Sequence, residues 1–114
     1  MKREPPNKNT NPVFYIHLRY QEDDGTINNH GGLTIAYREH DNGTVFEVAI
    51  ARCNLLDNFC RKTGRCIALG NLNWDRLWLC PKPAEIDKKD LHNHVVSFVE
   101  EKVRVITNAH GTYH

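Results

Sequence analysis

Apolar and polar positions alternate from Val13 to Tyr20. Phe14, Ile16, Leu18 and Tyr20 point one way, and Val13, Tyr15, His17 and Arg19 the other, as in a half-buried strand. Two further alternating segments flank Asn42-Gly43, a preferred two-residue hairpin turn. Closing the chain there sets Tyr37 opposite Val48, Ile35 opposite Ile50 and Glu39 opposite Phe46. On the other face Arg38 meets Glu47, Ala36 meets Ala49 and Thr34 meets Ala51. The first face is bulky and suits a helix. The second is nearly flat, either a solvent face of small residues or a surface for a second chain or a planar ligand.

The period then changes. Asp57 is placed to cap a helix over 58–69, with Gly70 as its stop and Phe59, Thr63, Cys66, Ile67 and Gly70 as its inner stripe. Trp74 to Cys80 reads as a short strand ended by Pro81 and Pro83. A second helix is expected from near Asp87 or Asp90, with Leu91, Val95, Phe98, Val99 and Lys102 on one face. Residues 103–106 fit either the end of that helix or a final strand. Residues 1–12, with three prolines and three asparagines, read as a mobile arm, and 21–32 as a long polar loop. The expected fold is α+β: an antiparallel sheet (hairpin 33–52 plus strand 13–20) packed with two helices, one domain over 13–114.

With 114 residues there is room for one domain. Hydrophobic residues make up 39%, which leaves a small core or one completed by a partner. Fifteen Lys and Arg against fourteen Asp and Glu argue against a protein that coats nucleic acid, and equally against an acidic mimic of it. No apolar run follows Met1-Lys2-Arg3, and none is long enough to span a membrane, so a cytoplasmic protein is expected. Cys53, Cys60, Cys66 and Cys80 lack the paired spacing of a zinc knuckle, and neither metal nor cofactor is expected.

The segment with the most specific chemistry is Asp57-Asn58-Phe59-Cys60-Arg61-Lys62-Thr63-Gly64-Arg65-Cys66-Ile67-Ala68-Leu69-Gly70. On a helix Arg61, Lys62 and Arg65 crowd one outward face, each like-charge pair costing about 0.2–0.5 kcal/mol. Gly64 costs about 1 kcal/mol more relative to Ala. These costs suit an anion held by the cations, and a close approach of ligand or backbone at Gly64. The same features also fit a solvated basic face, with Gly64 relieving packing on the sheet. Arginine suits phosphate because its planar fork donates paired hydrogen bonds. Trp74 and Trp78, with Tyr15 and Tyr37, are the flat rings that a base could stack on.

The pattern Asp-x-Phe-x-Arg-Lys-x-Gly-Arg-x-Ile-Ala-x-Gly resembles a motif of small proteins encoded by bacteriophages and prophages. Within that group it is most similar to the phage anti-Thoeris proteins, over about residues 46–72. The resemblance implies an oligomer that sequesters a cyclic ADP-ribose-type or cyclic-nucleotide immune signal in the host cytoplasm without cleaving it. Arg61, Lys62 and Arg65 would be its phosphate partners. Where that motif often has another basic residue, this chain has Asn71.

Other classes remain open. The same cations could engage an acidic host protein, such as a CRISPR component, or a single nucleic-acid strand, which the near-neutral charge disfavours. Catalysis finds little support: His92 and His94 fall on different helix faces, His110 and His114 lie in a polar tail, and Cys60 and Cys66 have arginine neighbours but no defined base. The chain is therefore read as a binding protein and not an enzyme.

Overall fold

The computed structural model describes residues 3–40 and 43–110, the side chains of Leu55 and 104–110 excepted. The elements are β1 (Phe14–Leu18), β2 (His30–Glu39), β3 (Val45–Asn58), α1 (Arg61–Asn73), β4 (Trp78–Pro81) and α2 (Lys88–His110). The strands form one antiparallel sheet in the order β1-β2-β3-β4, an α+β fold. All six expected hairpin pairings are present, from Thr34 opposite Ala51 to Glu39 opposite Phe46. Of the Asn42-Gly43 turn only Gly43 lies within the described residues. It has φ +70° and donates its N–H to the His40 carbonyl at 2.8 Å.

Strand alternation divides the core in two. Leu18, Leu33, Ile35, Tyr37, Phe46 and Val48 face α2, which supplies Val95, Val99 and Val103. The helix runs on through 103–106, which are therefore not a final strand. The flat face is no free surface: Ala36, Ala49 and Ala51 pack against Ala68 and Leu72 of α1. Small residues on both sides let helix and sheet approach closely, so the face expected for a partner or solvent is filled by the chain's own helix. Gly64 belongs to the same contact. A Cβ there would overlap Thr34, so it is the sheet, not a ligand, that makes the close approach.

α1 starts later than expected. β3 continues to Asn58, and Cys60, not Asp57, holds the N-cap position. Between the pairs Gly32–Cys53 and His30–Asn58, β3 carries an extra loop, Asn54 to Asp57, where Leu56 is 87% exposed. The late start also rotates the buried stripe. Ala68 and Leu72 are buried while Cys66 and Ile67 are exposed. Phe59 precedes the helix and packs its ring on His17 and under the Arg19 guanidinium.

The arm expected to be mobile lies against the domain from Asn7 to Asn11. The Asn7 amide donates to Glu47 and to the Leu72 carbonyl, and Asn9 and Asn11 both donate to the Glu39 carbonyl. It thereby closes over Arg38 and Glu47, each 3% exposed. Among the described residues no helix is long and apolar enough to cross a membrane.

Candidate functional site

β4 pairs with β3 only from Val45 to Val48, so among the described residues no strand covers the far edge of β3 from Ala49 onward. α1 runs beside that edge. Asn71 fastens the two, its side-chain amide donating to the Ile50 carbonyl at 2.8 Å. Its short amide meets the strand backbone directly, which suits this position better than a long cation.

Two cavities open between the helix and the edge. One, about 430 Å³, is lined by Asn71, Arg76, Leu77 and Trp78. The second, about 240 Å³, lies at the start of α1 and is lined by Cys53, Asp57, Cys60, Thr63, Gly64 and Ile67. Arg52 borders both.

The helix start is electrostatically unfinished. Its first N–H groups are not used by the helix ladder, the dipole places positive potential there, and the first turn has no acidic residue. Cys60, a weak hydrogen-bonding residue, holds the N-cap position. Its thiol is nevertheless held below the ordinary range, by the Thr63 hydroxyl first, then the Thr63 and Lys62 backbone groups and the Lys62 charge. The nearest acidic group lining the cavity there is Asp57, which precedes the helix.

Arg61, Lys62 and Arg65 are all exposed, and none of them lines either cavity. Arg61 and Arg65 act together on the β1 side, where both depress the His17 imidazole, while Lys62 acts on Cys60. Trp78 lines the larger cavity, its ring also packing against the α2-side core. Trp74 does not line it: it is 40% exposed at the helix end, beneath the Arg3 guanidinium. Arg52 and Arg76 were not singled out in the sequence. Arg52 is one polar position in an alternating strand and Arg76 a loop cation, and nothing local announces that they converge.

Among the histidines, His92 packs on Tyr37 with both ring nitrogens 3.3 Å from its hydroxyl, and His94 Nε2 lies 2.8 Å from the Pro81 carbonyl. His17 Nδ1 lies 2.9 Å from the Thr34 hydroxyl. Partial burial lowers the His17 pKa from 6.5, and Arg61 and Arg65 add to the shift. Above 6.5 the imidazole is neutral whether folded or unfolded. As the pH falls below 6.5, only the unfolded chain takes up the proton readily, so stability is lost until the folded pKa is passed. NMR titration should therefore place His17 below 6.5. In Arg61→Ala/Arg65→Ala its midpoint should rise but not fully recover, because burial is the larger cause.

Comparison of the chain with protein-family models, with characterised proteins and with solved structures returns no match.

Proposed function

We propose that the protein binds a phosphorylated nucleotide in the groove between α1 and the open edge of β3, and holds it without cleaving it. The observation that carries this reading is the position of Arg52, which borders both cavities. On one side stand Trp78 and Arg76, a flat ring and a second cation. On the other lies the start of α1, whose first turn has no acidic residue. Phosphate would sit between Arg52 and the first-turn N–H groups, with the base directed toward Trp78. Cys53 and Cys60 are the groove's thiols, but Cys53 is directed at the Asn54, Asp57 and Asn58 carbonyls and Cys60 is partnered by Thr63, while the His17 imidazole is engaged with Thr34. The groove's cations, amides and ring suit retention, and Asp57, its acidic lining residue, sets the phosphate on the Arg52 side. The motif's resemblance to phage anti-Thoeris proteins makes a cyclic ADP-ribose-type signal the first ligand to test, with sequestration in the host cytoplasm as the biological outcome.

Calorimetry against a panel of adenine mono- and dinucleotides, cyclic ADP-ribose included, tests the reading. Arg52→Ala should weaken binding roughly tenfold or more, the loss expected for a charge-assisted contact, and Arg65→Ala should leave it nearly unchanged. The reverse pattern would move the phosphate to the exposed basic face. Binding of no nucleotide would favour a second reading, an inhibitor that docks on an acidic host protein. That reading draws on the exposure of Arg61, Lys62 and Arg65 outside the groove.

A further inference from the structure

Phe14 is anomalous. It lies on the core-facing side of β1, in register with Tyr37, and its ring packs on the Tyr37 ring with centroids 5.5 Å apart. Yet it is 45% exposed, while Leu18 on the same face is 6% exposed. A cavity of about 380 Å³ sits over it, where the first turn of α2 stands above the sheet ahead of the buried Val95, Val99 and Val103 seam. Phe14, Phe46 and Leu91 line its apolar part, with Pro12 of the arm and Ile86 beside them. The volume is within the usual small-molecule range of about 300–1,000 Å³.

Its charged lining is equally specific. Lys82 pairs with Glu39 and holds its ammonium 5.5 Å from the centre of the Phe46 ring, so these two lining charges neutralise each other. Lys88, the first residue of α2, also lines the cavity and has no ion pair among the described residues. The cavity therefore offers aromatic and aliphatic walls with one cation that no ion pair engages among the described residues. Glu85, Asp87 and Asp90 are exposed close by in the chain and would repel a polyanion. We infer that this cavity is a second ligand site, distinct from the α1–β3 groove, for a small amphipathic monocarboxylate whose apolar body covers Phe14 and Phe46 and whose carboxylate meets Lys88.

Octanoate, octan-1-ol and octylammonium, titrated into the full chain by calorimetry and NMR, form the test. Octanoate should bind saturably and shift the Phe14 and Phe46 ring signals, with octanol weaker by about tenfold, the loss of one charge-assisted contact. Octylammonium should not bind. Lys88→Gln, at an exposed helix start where losing a cation favours the helix, should bring octanoate down to the octanol level and leave octanol unchanged. Ile86→Trp should block both by filling the cavity, and Arg52→Ala should affect neither. Absence of saturable octanoate binding, or octanoate affinity unchanged in Lys88→Gln, would overturn the assignment, and neither result would bear on the nucleotide groove.

Discussion

Arg38→Ala is expected to cost about 3–5 kcal/mol of folding stability, the range for breaking a buried ion pair from one side. Arg38 Nε donates to Glu47 Oε1 at 2.9 Å, and its Nη1 donates to the Asn9 carbonyl at 2.9 Å. Both side chains are 4% exposed. Truncating Arg38 leaves the Glu47 carboxylate buried with Asn7, His40 and Asn9 but no permanent cation beside it, and removes the arm's anchor at the Asn9 carbonyl. Burial alone would raise the Glu47 pKa, but hydrogen bonds from Asn7, His40, Arg38 and Asn9 outweigh it and bring it from 4.5 to about 2. The stability so gained is present above pH 4.5 and is lost as the pH falls toward 2. It amounts to roughly 3 kcal/mol for a shift of that size. Urea unfolding should therefore show a steep loss of stability for the wild type between pH 4.5 and 2, and a shallower one for Arg38→Ala. One more detail sharpens the test. Arg38 Nη2 is buried without a hydrogen-bond partner, so the pair is imperfectly satisfied. Arg38→Met/Glu47→Leu should consequently recover most of the loss. A single variant as stable as wild type would show that the pair is solvated when the arm lifts.

What the sequence made legible follows from the range of the interactions. The hairpin register rests on a local turn and a period of two, and every expected partner from Thr34–Ala51 to Glu39–Phe46 is found. The start of α1 was not legible in the same way. Asp57 has the chemistry of a cap, but His30 and Asn58 pair across the sheet, and that long-range contact extends β3 through it. Moving the start to Arg61 turned the helix, so a stripe begun at Phe59 named the wrong face. The alanine face was misread as free for a related reason. Its partner, Gly64-x-x-x-Ala68, is just as small and carries little hydrophobic signal of its own. The arm did carry a signal, because Asn7, Asn9 and Asn11 recur at period two, the spacing that lets one edge of an extended chain reach Glu47 and the Glu39 carbonyl. At the candidate site Trp78 could be named from its ring alone. Arg52 and Arg76 could not, because what joins them is the early end of β4, a tertiary fact.

That dependence of the groove on close helix seating leads to the second large effect. Gly64→Ala should destabilise the protein by about 1–3 kcal/mol, as overpacking does, even though alanine favours an isolated helix by about 1 kcal/mol. The added Cβ would overlap Thr34 Oγ1 and lie 2.9 Å from Thr34 Cβ. Thr34 cannot swing aside easily. It is β-branched and stiff, it sits within β2, and its hydroxyl is held by His17. The strain is therefore expected to lift the first turns of α1 from the sheet, carrying Cys60 and Thr63 out of the smaller cavity. Thr34→Ser retains the obstructing oxygen and its His17 contact but loses the β-branch, so it should relieve only a small part of the strain. Thr34→Ala removes the oxygen but leaves the tight Cβ contact, so Gly64→Ala/Thr34→Ala should be more stable than the sum of the single variants implies, without reaching wild type. A double-mutant cycle by urea unfolding measures this coupling, and additive effects would place the cost of Gly64→Ala somewhere other than the Thr34 contact. Run alongside nucleotide titration, the same variants separate groove geometry from groove chemistry. Gly64→Ala should weaken binding with every cation still in place, and the double variant should recover binding in proportion to stability.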